Sequence, residues 1–287
     1  MSKFFKETYR TQEWAAGEAS KHLDAEKLLE SLKGAETVGG EAAQTRLDRC
    51  RRISLPRGGE YPLISSPEHS ATAAVEAYRT LRTRMLRLAS SAGIRSVAVS
   101  SGTPGEGKTL TVLNLGLSCA QLRNHRVLVV DGDLRTRGLT RLFGSVTTPG
   151  LAEVLTGKAT PEQAVLATEQ PNLYVMTAGA THASPPELFA HKNWKEFIGW
   201  CNESFKLVLL DSPPMLPLAD FELITAGCDG VLIVVRALRT PRGFLQKAAS
   251  IIEPRKILGV VFNATEYGTK SRYHYHYLYQ ARNGDAK

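Results

Sequence analysis

Short apolar runs alternate with longer amphipathic stretches from about residue 71 onward. The apolar runs are continuous, as in strands that are covered on both faces of a parallel sheet, and they predict strands over 95–101, 126–131, 172–178, 206–211, 230–236 and 256–262. Apolar residues at helical spacing predict helices over 71–88, 109–122, 186–203 and 241–252. Connections long enough for right-handed crossovers then indicate an α/β fold, a mostly parallel, doubly wound sheet with helices on both faces.

The two ends of the chain lack this pattern. Residues 1–60 form a charged appendage and linker in which only 21–33 has helical spacing, and the stretch up to residue 70 is rich in Gly, Pro and Ser. The α/β domain is predicted over 70–265. Residues 266–287 lie beyond the last strand and are expected to form a flexible, tyrosine-rich tail.

Composition narrows the class of protein. The chain has 287 residues, 43% of them apolar, which is ample for one large domain with appendages. No apolar run approaches the roughly 18 residues of a membrane span, and Met1–Glu7 has charge but no apolar core, so we expect neither a membrane helix nor a secretion signal. The cysteines show no metal-ligand spacing and are expected to be free thiols in a reducing cytoplasm: Cys50, Cys119, Cys201 and Cys228.

The net charge of +8 comes from basic clusters at 46–57, 79–87 and 135–141. Such clusters attract nucleic acid or an acidic membrane surface, or simply form a solvated face. No nucleic-acid-binding motif accompanies them, so no nucleic-acid partner is expected. For the first cluster we favour a solvated face or a weak membrane attraction.

The segment 102–109 reads Gly-Thr-Pro-Gly-Glu-Gly-Lys-Thr and fits the pattern G-x-x-x-x-G-K-[ST] of a P-loop. It follows a predicted strand and opens a predicted helix, which is the required context. Its glycines let backbone amides approach phosphate oxygens, and the helix directs its positive end at the same anion. The motif therefore predicts a P-loop NTPase whose nucleotide contacts are Gly102, Thr103, Pro104, Gly105, Glu106, Gly107, Lys108, Thr109 and Leu110.

Three aspartates follow two further strands. Asp131 and Asp133 end the strand that begins near 126, and Asp211 ends the strand that begins near 206. Because parallel strands end at one edge of a sheet, these carboxylates should converge on Lys108 and Thr109. A single aspartate here would often be a turn residue or a helix cap. Three beside a P-loop indicate magnesium binding or activation of an attacking hydroxyl.

The combined motifs resemble those of the bacterial tyrosine kinases of capsule and exopolysaccharide systems. That family carries Pro-Gly-Glu-Gly-Lys in its P-loop, then apolar residues with D-x-D-x-R, then apolar residues with D-x-P-P; this chain has 104–108, 131–135 and 211–214 in the same order. The segment 76–82 matches the family's E-x-x-R-x-x-R self-association motif, and 185–188 is similar to a further family segment. One departure is Thr136-Arg137-Gly138, where the family often has a proline, which leaves the shape of this loop open.

The resemblance implies an ATP- and magnesium-dependent protein tyrosine kinase that phosphorylates itself. By position, Lys108 would neutralise the transferring phosphate, Thr109 and Asp211 would serve magnesium, and Asp131 would accept the tyrosine proton. Asp133 would support the metal's water shell or the P-loop. The catalytic set is thus Lys108, Asp131, Asp133 and Asp211, and the metal set Thr109, Asp211 and Asp133. Asn263, at a strand end, is a candidate adenine contact.

Five of the nine tyrosines lie within the tail, at Tyr267, Tyr273, Tyr275, Tyr277 and Tyr279. The last four alternate with a period of two, which an edge strand or an aromatic binding segment would also show. Beside a kinase-like domain we favour autophosphorylation sites. An extended chain covers about 3.4 Å per residue, so Tyr275 could lie about 40 Å from Asn263, within reach of a neighbouring subunit.

The resemblance also implies partners. Glu76, Arg79 and Arg82 would hold a homo-oligomeric ring, although a simple intrahelical Glu–Arg pair has the same spacing. A separate membrane protein that determines polysaccharide chain length would activate the kinase, and a phosphotyrosine phosphatase would reverse it. The expected location is the cytoplasm, peripheral to the inner face of the plasma membrane.

Two other functions remain open on this sequence. A partitioning or positioning ATPase has the same fold, but such proteins normally carry a second lysine directly after the first P-loop glycine, where this chain has Thr103. A nucleotide-bound adaptor of a membrane polysaccharide complex would keep the fold without phosphate transfer. It would have no chemical need for Lys108 together with all three aspartates.

Overall fold

A computed structural model of the chain describes residues 47, 50–56, 62–65, 73–144, 149–180, 184–215 and 219–265. They fall within one compact unit, Thr45–Lys287. The predicted helix over 21–33, most of the predicted linker and the tail with its five tyrosines lie outside the described residues.

The core of the domain is an eight-stranded sheet. In chain order its strands are β1 Arg51–Ile53, β2 Ser96–Ser101, β3 Val127–Asp131, β4 Val165–Thr168, β5 Leu173–Met176, β6 Leu207–Asp211, β7 Gly230–Arg236 and β8 Ile257–Asn263. They are ordered β1-β4-β5-β3-β6-β2-β7-β8 across the sheet. Six neighbouring strands are parallel to one another: β5, β3, β6, β2, β7 and β8. β4 is antiparallel to β5, and β1 is parallel to β4.

Helices cover both faces of this sheet. The described α-helices are α1 Ala73–Ala92, α2 Lys108–Ala120, α3 Gly138–Leu142, α4 Leu151–Leu155, α5 Pro161–Ala164, α6 Pro185–Ala190, α7 Lys192–Ser204, α8 Ala219–Gly227 and α9 Arg242–Ser250. A 3₁₀ turn over Pro254–Lys256 leads into β8.

Successive residues of the central strands point into two different cores. In β6, Leu207 and Leu209 belong to the core that contains the apolar side of α2, whereas Val208 and Leu210 belong to the core that contains Phe197 of α7. All of these side chains are buried. This two-sided burial explains why the strands read as continuous apolar runs, and it confirms the predicted α/β fold.

All six predicted strands are present, within two residues of the expected ends. Two strands were not predicted. β1 lies in the segment that the sequence assigns to the linker, because its two arginines are exposed and only Ile53 is partly buried. β4 is a four-residue strand directly after α5, too short for a period to show. The helix predicted over 186–203 is two helices, separated at His191, whose backbone is extended and whose Nδ1 accepts a hydrogen bond from the Asn193 amide.

None of the four cysteines forms a disulfide, as predicted: three are buried, and Cys50 is half-buried. Among the described residues, no helix has the length and the apolar character that crossing a membrane would require.

Candidate active site

The P-loop joins β2 to α2 and is shaped by two glycines. Gly105 and Gly107 have φ of 80° and 91°, in the left-handed region that glycine adopts without steric cost. Gly107 also lacks room for a side chain, since a Cβ there would lie 2.0 Å from Nδ2 of Asn263. That Nδ2 donates to the Glu106 carbonyl at 2.9 Å. Asn263, a candidate adenine contact from sequence, thus contacts the P-loop backbone.

Glu106 ties the P-loop to the end of β7. Its side chain is buried and accepts hydrogen bonds from the hydroxyls of Thr103, at 3.1 Å, and Thr240. Arg236 donates to the Gly105 carbonyl at 3.3 Å. Sequence reasoning missed Arg236 and Thr240, because no motif spacing links them to a loop about 130 residues earlier.

Four of the predicted site residues meet at the start of α2. Lys108 Nζ lies 3.1 Å from Asp133 Oδ2 and 3.5 Å from Asp211 Oδ1, and Thr109 donates to Asp211 Oδ2 at 2.7 Å. The C-terminal ends of β3 and β6 carry the two aspartates, as the parallel sheet requires. Asp133 is fixed further by the Thr136 amide, which donates to its Oδ1 at 3.0 Å.

Asp131 lies in the same layer, directly paired with Asp211 in the register of β3 and β6. Its Oδ2 accepts two hydrogen bonds from Thr140, at 2.7 Å from the amide and 2.6 Å from the hydroxyl. Its Oδ1 is buried and has no hydrogen-bond partner within the part of the chain that the structure describes. A buried carboxylate oxygen without a hydrogen bond destabilises the folded state, and such atoms are rare in proteins. Oδ1 of Asp131 is therefore a candidate for contact with a reacting group.

The electrostatics of this cluster are dominated by burial and crowding of like charge. Burial and the charge of Asp211 raise the pKa of Asp131 to about 7, and burial raises the pKa of Asp211 to about 6 against the opposing effect of Lys108. Burial acts on Asp133 in the same direction, but Lys108 and Thr136 outweigh it and hold its pKa below the usual range. For Lys108, burial lowers the pKa, yet Asp211 and Asp133 raise it above its ordinary value.

The loop after β3 packs tightly on this cluster. Arg135 donates to both carboxylate oxygens of the buried Asp220 at 2.7 and 3.1 Å, which anchors the loop to α8. A Cβ on Gly138 would lie 3.0 Å from Thr109 Oγ1 and 3.7 Å from Asp211 Oδ2. At 136–138, where the family often has a proline, this chain has a glycine that lets the start of α3 lie close to the start of α2.

This donor set suits a magnesium–nucleotide complex. Lys108 contacts the carboxylates of Asp133 and Asp211, and Asp131 lies beside Asp211, so three acidic groups share one lysine. Burial makes ionisation of Asp131 and Asp211 costly and raises their pKa values. A divalent cation would offset their negative charge, and hydroxyl and carboxylate oxygens such as those of Thr109 and Asp211 are its usual ligands. Among the described residues, no three His, Cys, Asp or Glu side chains form a metal site by themselves. Magnesium at P-loops is held mainly by phosphate and water, so the residues fit this role.

The predicted self-association residues do not share one environment. Glu76 and Arg79 form an exposed ion pair within α1, with side-chain exposures of 69% and 48%. Arg82 instead donates to the Ser118 carbonyl at 2.7 Å and to Gln121 Oε1 at 3.2 Å, at the end of α2. In one copy of the chain, Arg82 therefore contributes to packing of α1 on α2.

Comparisons with known proteins identify the family of this chain. Residues 94–252 match the family model described as an AAA domain. Tyrosine-protein kinase YwqD of Bacillus subtilis is 33% identical over 203 residues, 70% of this chain and 85% of YwqD. The chain belongs to the bacterial tyrosine-protein kinase family. Tyrosine-protein kinase CpsD of Streptococcus pneumoniae is a second relative, 31% identical over 59% of this chain and 76% of CpsD.

Solved structures agree with this assignment. The crystal structure of the chimeric protein CapA2B2 is similar with a TM-score of 0.66 and 26% identity, over 78% of this chain and 98% of that chain. The similarity thus extends over nearly the whole of CapA2B2, and the family resemblance inferred from the motifs is confirmed.

Proposed function

We propose that this protein is an ATP-dependent tyrosine kinase that phosphorylates the tail tyrosines of a second copy of itself. By doing so it regulates polymerisation or export of an exopolysaccharide or capsule. The observation that carries the proposal is the convergence of Lys108 and Thr109 with Asp133 and Asp211, directly beside Asp131. Membership of the bacterial tyrosine kinase family supports the same conclusion.

The side chains around the P-loop have separate tasks in this mechanism. Lys108 neutralises negative charge on the phosphoryl group in transit, and the amides of the P-loop with the N-terminus of α2 hold the remaining phosphates. Thr109 and Asp211 offer oxygen ligands to the cation, while Asp133 orients Lys108 through their 3.1 Å contact. ATP supplies the γ-phosphoryl group, and magnesium held by Thr109 and Asp211 would neutralise part of its charge.

Asp131 is the proposed general base. Its unpartnered Oδ1 accepts the proton of the incoming tyrosine hydroxyl, while Thr140 keeps Oδ2 in place with two hydrogen bonds. The new bond joins the tyrosine oxygen to phosphorus as the bond to ADP breaks. A base with a pKa near 7 is well matched to this task near neutral pH, because it is ionised yet still basic.

The tail and the assembly extend this proposal beyond one chain. Tyr267, Tyr273, Tyr275, Tyr277 and Tyr279 are the proposed phosphorylation sites. Each phosphate would add about −1.5 to −2 charges, so several on one tail would repel one another and alter its binding to arginine-rich surfaces. Glu76, Arg79 and Arg82 are proposed to contribute to a homo-oligomer, and a ring that loosens after phosphorylation would provide regulation.

The proposal also includes partners and a location. A membrane protein that determines polysaccharide chain length would activate the kinase from the inner face of the plasma membrane. A phosphotyrosine phosphatase would reset it. In this scheme the kinase is a cytoplasmic protein that is peripheral to the membrane.

The direct test is a phosphosite map by mass spectrometry after incubation with ATP and Mg²⁺. Wild-type protein should carry phosphotyrosine in the tail, and Lys108→Met should carry none. Lys158→Met, which removes an exposed lysine away from the site, is the matched control and should behave as wild type. Absence of tail phosphotyrosine in wild-type protein, even with the membrane activator supplied, would refute the kinase function.

ATP hydrolysis and dimerisation, measured on the same samples as the phosphosite map, test the two other functions. A positioning ATPase would hydrolyse ATP without forming phosphotyrosine and would dimerise only with ATP. Against it, Thr103 occupies the position of the second lysine of those proteins and donates its hydroxyl to Glu106. An adaptor that does not depend on nucleotide would keep its function in the Lys108→Met variant.

A further inference from the structure

β8 is an edge strand with few of the features that normally protect an edge. It is the last strand in the sheet order and pairs, among the described residues, with β7 alone. Its seven residues, Ile-Leu-Gly-Val-Val-Phe-Asn, include no charge and no proline. Proteins usually blunt such edges with short strands, charges, prolines or bulges. β8 has one register shift, between its pairs with Val231 and Leu232, at the end of the strand away from Asn263. The opposite edge, β1, does so: it has three residues, two of them exposed arginines.

Apolar side chains on β8 are exposed on one face. Val260 and Phe262 are 40% and 64% exposed, which is unusual for large apolar side chains on a strand. They pair with Ile233 and Val235 of β7 and therefore point to the same side of the sheet. Their spacing of two residues is that of one face of an extended strand.

The C-terminal end of this edge lies at the active site. Asn263, the last residue of β8, donates from Nδ2 to the Glu106 carbonyl in the P-loop. Asn263 also pairs with Arg236, which donates to the Gly105 carbonyl. A peptide that pairs with β8 would therefore be led along the sheet edge to the phosphate-binding loop.

We propose that the edge of β8 is the docking surface for the tyrosine segment of a second copy, residues 272–280. This inference rests on the proposed tyrosine kinase function. The segment places Tyr273, Tyr275, Tyr277 and Tyr279 at a period of two, so one face of an extended strand would present only aromatic rings. Main-chain hydrogen bonds to an edge strand give affinity in this mode of recognition, and side chains at alternate positions give specificity.

The chemistry of the two partners is complementary. Val260 and Phe262 present a branched and an aromatic side chain, which form favourable cross-strand pairs with aromatic residues. An extended segment from Asn263 to Tyr275 spans about 40 Å, which gives the tail a long reach towards a second copy. Pairing through the main chain tolerates any of the four tyrosines entering the site, since the segment can shift by two residues and keep the same face.

The test uses the full-length kinase and a synthetic peptide of residues 270–282. Phe262→Ser should raise the KM for phosphorylation of this peptide about tenfold, the effect of losing one good apolar contact, with kcat unchanged. Hydrolysis of ATP without peptide should also stay at the wild-type rate. A peptide that is N-methylated at both His276 and Tyr277 keeps every side chain but loses a main-chain donor on each edge of the strand, so its KM for the wild-type enzyme should rise similarly in either register.

A second readout does not depend on catalysis. The peptide should slow amide hydrogen exchange in β8 of the Lys108→Met variant, and the N-methylated peptide should not. Unchanged KM for both changes together with unaltered exchange would overturn the docking site while leaving the kinase function intact. If wild-type enzyme phosphorylated neither tail nor peptide, the kinase function would fail first, and the exchange measurement would still decide whether the tail binds β8.

Discussion

Thr140 controls the residue proposed to be the general base. Its hydroxyl donates to Asp131 Oδ2 and accepts from the Ala178 amide at 2.8 Å. Burial raises the pKa of Asp131 to about 7, and the two bonds from Thr140 oppose that rise. Thr140→Val removes the hydroxyl bond and retains the amide bond, so the ionised carboxylate is less well stabilised and its pKa should rise further.

The consequence appears in the pH profile. The base acts only when it is deprotonated, so kcat/KM should fall as pH drops through the pKa of Asp131. In Thr140→Val this acidic limb should move upward by about one pH unit. Thr140→Ser keeps the hydroxyl and should leave the limb in place. A Thr140→Val enzyme that is slower at every pH, with an unmoved limb, would mean that Thr140 does not set the proton affinity of Asp131.

The residues of this site were not equally predictable. Lys108, Thr109 and the three aspartates follow from a motif and from strand ends, because a parallel sheet gathers those ends at one edge. Thr240 reaches Glu106 from 134 residues away, and Thr140 binds Asp131 from a separate element nine residues later, and no motif spacing predicts either contact. Their contribution depends on how α3 and the turn after β7 pack, which only the folded chain determines.

The P-loop element depends on two glycines for different reasons. Gly105 and Gly107 both have positive φ, but only Gly107 faces an obstacle, Asn263 Nδ2. Gly105→Ala should weaken nucleotide binding about tenfold through the backbone cost of roughly 1–2 kcal/mol. Gly107→Ala pays the same backbone cost and must also displace Asn263, so its affinity should fall further.

Isothermal titration of nucleotide into the two variants measures the difference. The additional loss in Gly107→Ala should shrink when Asn263→Ala is combined with it, because the obstructing amide is then gone. Equal affinities for Gly105→Ala and Gly107→Ala would show that the contact with Asn263 does not shape the loop. All variants should retain the wild-type fold by circular dichroism.

The helices and strands also differed in how well the sequence predicted them. Strands buried on both faces were predictable because they need apolar side chains at every successive position, which gives a continuous apolar run in the sequence. β1 and β4 have three and four residues, and the helices α3, α4 and α5 have five or fewer, too few for a period. The break between α6 and α7 is set by the extended backbone at His191, which no proline or glycine announces.

The molecule as a whole is proposed to work as an assembly, in which one copy serves as the substrate of another. The residues on α1 that are predicted to mediate self-association have two different environments in the structure. Among the described residues, Arg79 pairs with the exposed Glu76, whereas Arg82 holds the end of α2 through Ser118 and Gln121. The motif spacing alone did not separate these roles, because both arginines lie on one face of the helix.

These roles predict different outcomes for two single substitutions. Arg79→Ala loses a solvent-exposed pair worth little to one chain, so the melting temperature of the monomer should change by less than about 1 °C, while the mass of the assembly by light scattering should fall. Arg82→Ala removes two hydrogen bonds between helices, each worth about 0.5–1.5 kcal/mol, and should lower the melting temperature by roughly 2–12 °C. Measurements on dilute protein, where copies are separated, keep the two effects apart. An Arg82→Ala chain that melts like wild type, or an Arg79→Ala chain that assembles normally, would contradict these separate roles. Phosphorylation of the tail of a Lys108→Met copy by a second copy would then have to depend on another surface.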